Sequence, residues 1–197
     1  MMKKIKSSIF GAVLVLFLAT VAGATTYTFS PLPNDIGDLK HSWAYKWGID
    51  WSLPDGETIA GASLLFDEFS NWKEEPNNLY VSLLDTAYMG VRQFWDDQGD
   101  GDYFAGAGLL LNQYQDVSSV ASDVTYYFSN DELAVLKVYL KDGNFGLGFD
   151  PDCHFWNNGV YLSIETAATP IPAPILLLGT GLIGMVGFRS RSRLRRR

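Results

Sequence analysis

The sequence predicts an all-β fold, a single β-sandwich or jelly-roll domain, and three observations predict it. Short apolar or alternating runs recur at near-regular spacing. Clusters of Gly, Asp, Asn and Pro separate them. One stretch alone carries a helix signature.

The first run, Ser42–Ile49, alternates and is rich in aromatics. After the turn Leu53-Pro54-Asp55-Gly56, Ile59–Phe66 reads as the next strand. Leu79–Leu84, Gly90–Trp95, Ala107–Leu111, Val124–Phe128, Asn144–Phe149 and Val160–Glu165 continue the series. Their spacers include Glu75-Pro76-Asn77-Asn78, Asp96–Asp102 and Lys141-Asp142-Gly143. The exception is Asn130–Leu140, with Leu133, Leu136, Val138 and Leu140 apolar. Asp131 and Glu132 near its start complement the positive end of a helix dipole.

The two ends belong to a different class. Lys3, Lys4 and Lys6 precede an apolar run to Val21, and Ala22-Gly23-Ala24 is a small-x-small cleavage site. That is the layout of a secretory signal peptide over 1–24, cut by signal peptidase. At the other end, Pro170-Ile171-Pro172-Ala173-Pro174 leads into an uncharged run, 175–188, dotted by Gly179, Gly181, Gly184 and Gly187. Arg189, Arg191, Arg193, Arg195, Arg196 and Arg197 follow. The motif Gly179–Gly184 fits G-x-G-x-x-G, yet no second strand or acidic residue follows it, so a dinucleotide site is excluded. As a helix the uncharged run reaches about 21 Å, a marginal span that arginines extend by snorkelling. The arginines would stay on the cytoplasmic side of an inner membrane. The three expected parts are therefore 1–24, a body 25–169, and a tail 170–197.

With the ends set aside, charge becomes informative. Three lysines lie in the leader and six arginines in the tail, so six basic residues face all 22 acidic ones in 25–188, a net charge of −16. Such a body does not bind nucleic acid. Cys153 is the one cysteine, so no internal disulfide is available.

A proline-x-proline motif, a short glycine-containing apolar helix and a terminal arginine cluster resemble the PEP-CTERM sorting signal. The usual Val-Pro-Glu-Pro reads Ile171-Pro172-Ala173-Pro174 here, with Ala173 in place of glutamate. The resemblance covers about the last 28 residues. It implies processing near Pro172–Pro174 by an exosortase and delivery to the surface or extracellular polysaccharide layer of a Gram-negative bacterium. The stretch Phe149-Asp150-Pro151-Asp152-Cys153-His154-Phe155-Trp156-Asn157-Asn158-Gly159 is similar to a segment of many PEP-CTERM surface proteins. There it joins the last two strands of a β-sandwich.

Two acidic loops invite a calcium reading. Asp96, Asp97, Asp100 and Asp102 form one, but Gln98 and Ala107 break the EF-hand pattern. Asp150, Asp152 and Asn157 form the other. Solvated loops and Asx-turns are the plainer reading of both. Cys153 and His154 are adjacent, face opposite sides of a strand, and fall short of a zinc set. Neither G-x-S-x-G nor H-E-x-x-H occurs, so the body is expected not to be an enzyme. Trp43, Trp47 and Trp51, spaced by four, suit core packing better than a sugar-stacking face. The expected function is an exported surface or matrix protein whose body is a structural or binding module. The alternative is a carbohydrate-binding or carbohydrate-processing protein.

Overall fold

Period-two alternation builds both sheets of the computed structural model, which describes residues 23–32, 36–97 and 101–169. The body, Ala24–Ala167, is one compact unit. The remainder, 1–23 and 168–197, is a second unit and, apart from Gly23, Ala168 and Thr169, lies outside the described residues. The expectations on Ala22, Pro172, Ala173, Pro174, the tail glycines and the arginines therefore fall outside them, as does Asp100. No helix among the described residues is long and apolar enough to cross a membrane.

The strands are β1 (Ala24–Phe29), β2 (Trp43–Asp50), β3 (Glu57–Asn71), β4 (Asn78–Leu84) and β5 (Gly90–Trp95). Then come β6 (Gly108–Gln115), β7 (Ser122–Tyr127), helix α1 (Asn130–Tyr139), β8 (Asn144–Pro151), β9 (Phe155–Trp156) and β10 (Gly159–Ala168). One sheet runs β1-β10-β3-β7, with β9 also paired to β3. The other runs β5-β2-β8-β4-β6. The described strand pairs are antiparallel. This is the expected all-β sandwich.

The core lies between the sheets. Tyr45, Trp47 and Ile49 of β2 and Phe145, Leu147 and Phe149 of β8 face Leu64, Phe66, Leu162 and Ile164 from the other sheet. Phe66 meets Phe149 edge-on across the layers, with centroids 5.9 Å apart. Trp47 is buried, while Trp43 and Trp51 pack against the same core, so the tryptophans spaced by four are structural.

A β-bulge lets β3 serve this core twice. Ala62, Leu64 and Phe66 point inward at even positions, whereas Phe69 and Asn71 point inward at odd ones. The phase changes at Glu68, whose φ is 47°, and the register with β7 shifts between Phe66 and Phe69. The backbone N–H of Glu68 donates to Asp123 Oδ1 at 3.1 Å, which satisfies the bulge. Phe66 and Phe69 then lie with centroids 4.9 Å apart.

Helix α1 starts where its sequence says. Ser129 and Glu132 form a reciprocal capping box, and Tyr126 Oη–H is shared between Glu132 Oε1 at 2.5 Å and Leu111 O at 2.7 Å. Burial, then the Glu132 carboxylate, hold the Tyr126 phenol above its ordinary pKa. Leu133 and Leu136 are the buried residues of the helix.

Deleting Glu68 should return β3 to one phase and turn Phe69 outward. The expected loss is on the order of 3–5 kcal/mol, as for removing a core phenylalanine. Urea denaturation of the deletion variant checks it, and an unchanged midpoint would show that the bulge does not set the register.

Candidate functional site

The outer face of the second sheet is set by β8, which is buried on both sides. With Phe145, Leu147 and Phe149 inward, Asn144, Gly146, Gly148 and Asp150 point outward. Two loops lie directly on these glycine-lined strands. A methyl group at Gly48 would meet the Tyr88 carbonyl oxygen at 1.9 Å, and one at Gly148 would meet the Phe104 ring at 2.6 Å. Only glycine lets the loops at 85–89 and 101–107 seat so closely.

The second loop covers Asp150, which is 1% exposed. Tyr103 N–H donates to Asp150 Oδ2 at 2.7 Å, and Phe104 N–H donates to Asp102 Oδ1 at 2.8 Å in an Asx-turn. Asp150 Oδ1 has no hydrogen-bond partner. Burial first, then the carboxylates of Asp96 and Asp102, push the Asp150 pKa up to about 7, against the opposing Tyr103 N–H. A proton on Asp150 would turn it into a donor for Asp96, relieving both the orphan oxygen and the repulsion.

The fold therefore joins parts of the two acidic loops. Asp96 and Asp102 come to Asp150. Asp97 is exposed. Asp152 turns elsewhere and accepts from Asn78 Nδ2 at 2.8 Å. Asn157 follows β9 and has both amide atoms buried without a partner. Among the described residues, no three His, Cys, Asp or Glu side chains are placed to hold a metal ion.

A second feature sits on the outer face of the first sheet. Ser70 pairs with Trp156 and Asn71 with Phe155, while Trp72 N–H donates to His154 O at 3.1 Å. Alternation sends Asn71 and Phe155 into the core and Trp72, His154 and Trp156 out. Trp72 is 50% exposed and Trp156 49%. His154 stacks on Trp156 with centroids 5.8 Å apart and planes 15° apart, and Trp72 lies 6.2 Å from His154. Lys73 Nζ sits 4.6 Å from the Trp72 ring and 2.7 Å from Glu75 Oε2.

Glu75 locks this row in place. It accepts from the Cys153 thiol at 2.8 Å and from Trp72 Nε1 at 3.1 Å. The thiol hydrogen bond first, then Lys73, draw the Glu75 pKa down to about 2. Cys153, whose role the sequence left open, is thus a donor that orients the carboxylate beneath Trp72. The sequence reading did not single out Trp72, Trp156 or Glu75. Only the pairing of β3 with β9 brings them together.

No family model matches the chain, and no curated protein matches it. Among solved structures it is similar to a latent aurone synthase, a polyphenol oxidase, from a natural source, at 12% identity and a TM-score of 0.37. That match covers 65% of this chain and 24% of the other. A recombinantly expressed latent aurone synthase gives 10% identity, a TM-score of 0.41, and coverage of 78% and 28%. The chain thus spans about a quarter of the length of these structures. Both are enzymes, contrary to the expectation of no enzymatic role, which rested on missing motifs and is not maintained. At these TM-scores the likeness assigns no activity to this chain.

The raised Asp150 pKa has a definite sign. The folded state holds its proton above the usual aspartate range near 4, so stability is greatest below that range and falls as pH rises toward about 7. The expected slope is at most about 1.4 kcal/mol per pH unit. Asp150→Asn keeps a donor for Asp96 and should flatten this slope and raise the melting temperature at pH 8. Parallel melting curves for wild type and variant from pH 4.5 to 8 would count against a titrating Asp150.

Proposed function

We propose that this chain is an exported surface or extracellular-matrix protein, sorted by an exosortase, with the body acting as a structural or binding module. The observation that carries the reading is the order of the terminal segments. A basic, apolar, small-x-small leader opens the chain, and Pro172-Ala173-Pro174, an uncharged run and six arginines close it. The fold supports it. Ala24 pairs with Ala167 on neighbouring strands at one edge of the sheet, so both ends of the body leave from the same place. Signal peptidase at one junction and the exosortase at the other would then act without crossing the sandwich.

Intact-mass measurement of the secreted form tests this. The mature chain is expected to begin at Thr25 and to lack its arginine tail. An extracellular species that retains Arg197 would overturn the sorting reading.

The exposed row Trp72–His154–Trp156 favours a second reading, a carbohydrate-binding body within the polysaccharide layer. Flat aromatic faces bury the apolar side of a sugar ring, and the nearby Glu75 and Asp38 offer acceptors for hydroxyls. His154 Nε2 lies 3.9 Å from Asp38 Oδ2 and is itself buried, so the exposed indole faces of Trp72 and Trp156 are what the row offers a ligand. Trp72→Ala and Trp156→Ala should each weaken retention on a neutral polysaccharide column by about tenfold, or about 1.4 kcal/mol. Trp43→Phe, in the core-packed set, should not. Equal retention of all four proteins would remove this reading.

A further inference from the structure

A cavity of about 400 Å³ opens on the outer face of the second sheet, and its chemistry is the reverse of the body around it. Lys46 of β2 and Arg92 of β5 line it, and the two are direct cross-strand partners. Like charges placed opposite each other on neighbouring strands repel. The body has only six basic residues against 22 acidic ones, so chance pairing of two cations is not the economical arrangement. Neither has a carboxylate within 4.0 Å among the described residues, where the ion pairs are Lys73–Glu75 and His154–Asp38.

Aromatic rings take the place of the missing counter-ions. The Arg92 guanidinium lies 4.7 Å from the Tyr88 ring, and Lys46 Nζ lies 5.6 Å from Phe94 and 5.9 Å from Phe104. Such contacts position a cation without neutralising it. The remaining polar side chains, Thr86 and Asn144, can donate as well. Asn144 Oδ1 already accepts from Ala87 N–H at 2.7 Å, so that side chain has its amide NH₂ to offer. No acidic side chain lines the cavity among the described residues. Tyr88 is 75% exposed at the rim and Phe94 is half-buried, which gives two apolar surfaces on either side of the cations.

We propose that this cavity binds a carboxylate carried on a six-membered ring, with Lys46 and Arg92 holding the carboxylate and Tyr88 and Phe94 covering the ring. The guanidinium fork matches the two oxygens, and Lys46 adds a point charge. A single charge fits this site better than a densely charged polyanion, because the −16 body repels the rest of such a chain. A sugar acid and an aromatic acid share this chemistry. The site is separate from the Trp72 row and stands whether or not that row binds sugar.

The test is calorimetric titration of the full-length chain in mild detergent with glucuronate, benzoate, glucose and acetate. Saturable binding of at least one ring acid is expected, about tenfold or more tighter than glucose or acetate, and weakened by salt. The tighter of the two ring acids identifies the source. Lys46→Gln with Arg92→Gln should weaken binding by about tenfold or more while leaving the melting temperature unchanged or higher, since a repulsive pair is lost. Should that double variant not fold, Tyr88→Ala at the exposed rim serves instead and should weaken both ring acids relative to acetate. Absence of binding by both ring acids overturns the proposal. So does equal affinity for glucose, or undiminished affinity in a folded double variant.

Discussion

Strand β8 has no solvent side, and much of the molecule follows from that. Its inward residues, Phe145, Leu147 and Phe149, fill the middle of the sandwich, where edge-on ring contact ties the two sheets together. Its outward residues must be covered as well, and loops rather than a third layer cover them. A strand that carried ordinary side chains outward would hold those loops off the sheet. Gly148, and Gly48 on the neighbouring strand β2, remove that obstacle, at the entropic cost that glycine brings to a strand. The result is a small second core of Ala44, Leu84 and Phe104 on the outer face. Polar residues at the edges of that second core become buried, as Asp150 is, or half-buried, as Lys46 is. Asp150 lies under one loop, and Lys46 lies between the two.

Burial then sorts the charges. In a body of −16, an exposed acid costs little because water and ions screen it. Asp150 is different, because the loop removes water and brings Asp96 and Asp102 alongside. The physical outcome is a carboxyl group that prefers its proton up to neutral pH. Glu75 shows the opposite case. It sits at the surface with three hydrogen-bond donors around it, and its ionised form is favoured. The same functional group, a carboxyl, thus does different work on the two outer faces, and the surroundings set the difference.

Much of the fold was legible in the sequence because alternation is a local signal. Strands β2, β4, β5 and β8 lie within two residues of their expected bounds, and α1 begins one turn before Leu133 as its acidic start implies. Strand β3 was expected to stop at Phe66, because the bulge at Glu68 inverts the pattern there and reads locally as a turn. Strand β1 was missed because Thr25-Thr26-Tyr27-Thr28 has no apolar face of its own and is held by pairing with β10. Strand β9 is two residues long and carries no periodicity. The candidate sites were less legible for a related reason. Each acidic loop was visible by itself, but which acid of the second meets the first depends on the register of β8. Lys46 and Arg92 stand 46 positions apart in the chain and only the β2–β5 ladder makes them neighbours.

The two features on this outer face share one support. Phe104 presses on Gly148, and Tyr103 beside it carries the N–H that binds Asp150. The Phe104 ring also lies 5.9 Å from Lys46 Nζ, and Tyr103 stacks on Phe94 with centroids 6.1 Å apart. Ionising Asp150 adds a buried charge directly beneath this loop, so the energetic cost falls on the segment that also shapes one wall of the cationic cavity. A proton on Asp150 and a seated Phe104 therefore favour each other. The geometry of Lys46 relative to Phe94 depends on that seating, because both rings that flank its ammonium belong to, or stack against, the same loop. Any change that lifts the loop from Gly148 must alter both the environment of the carboxyl and the wall of the cavity. The two cannot be tuned independently while β8 remains covered in this way.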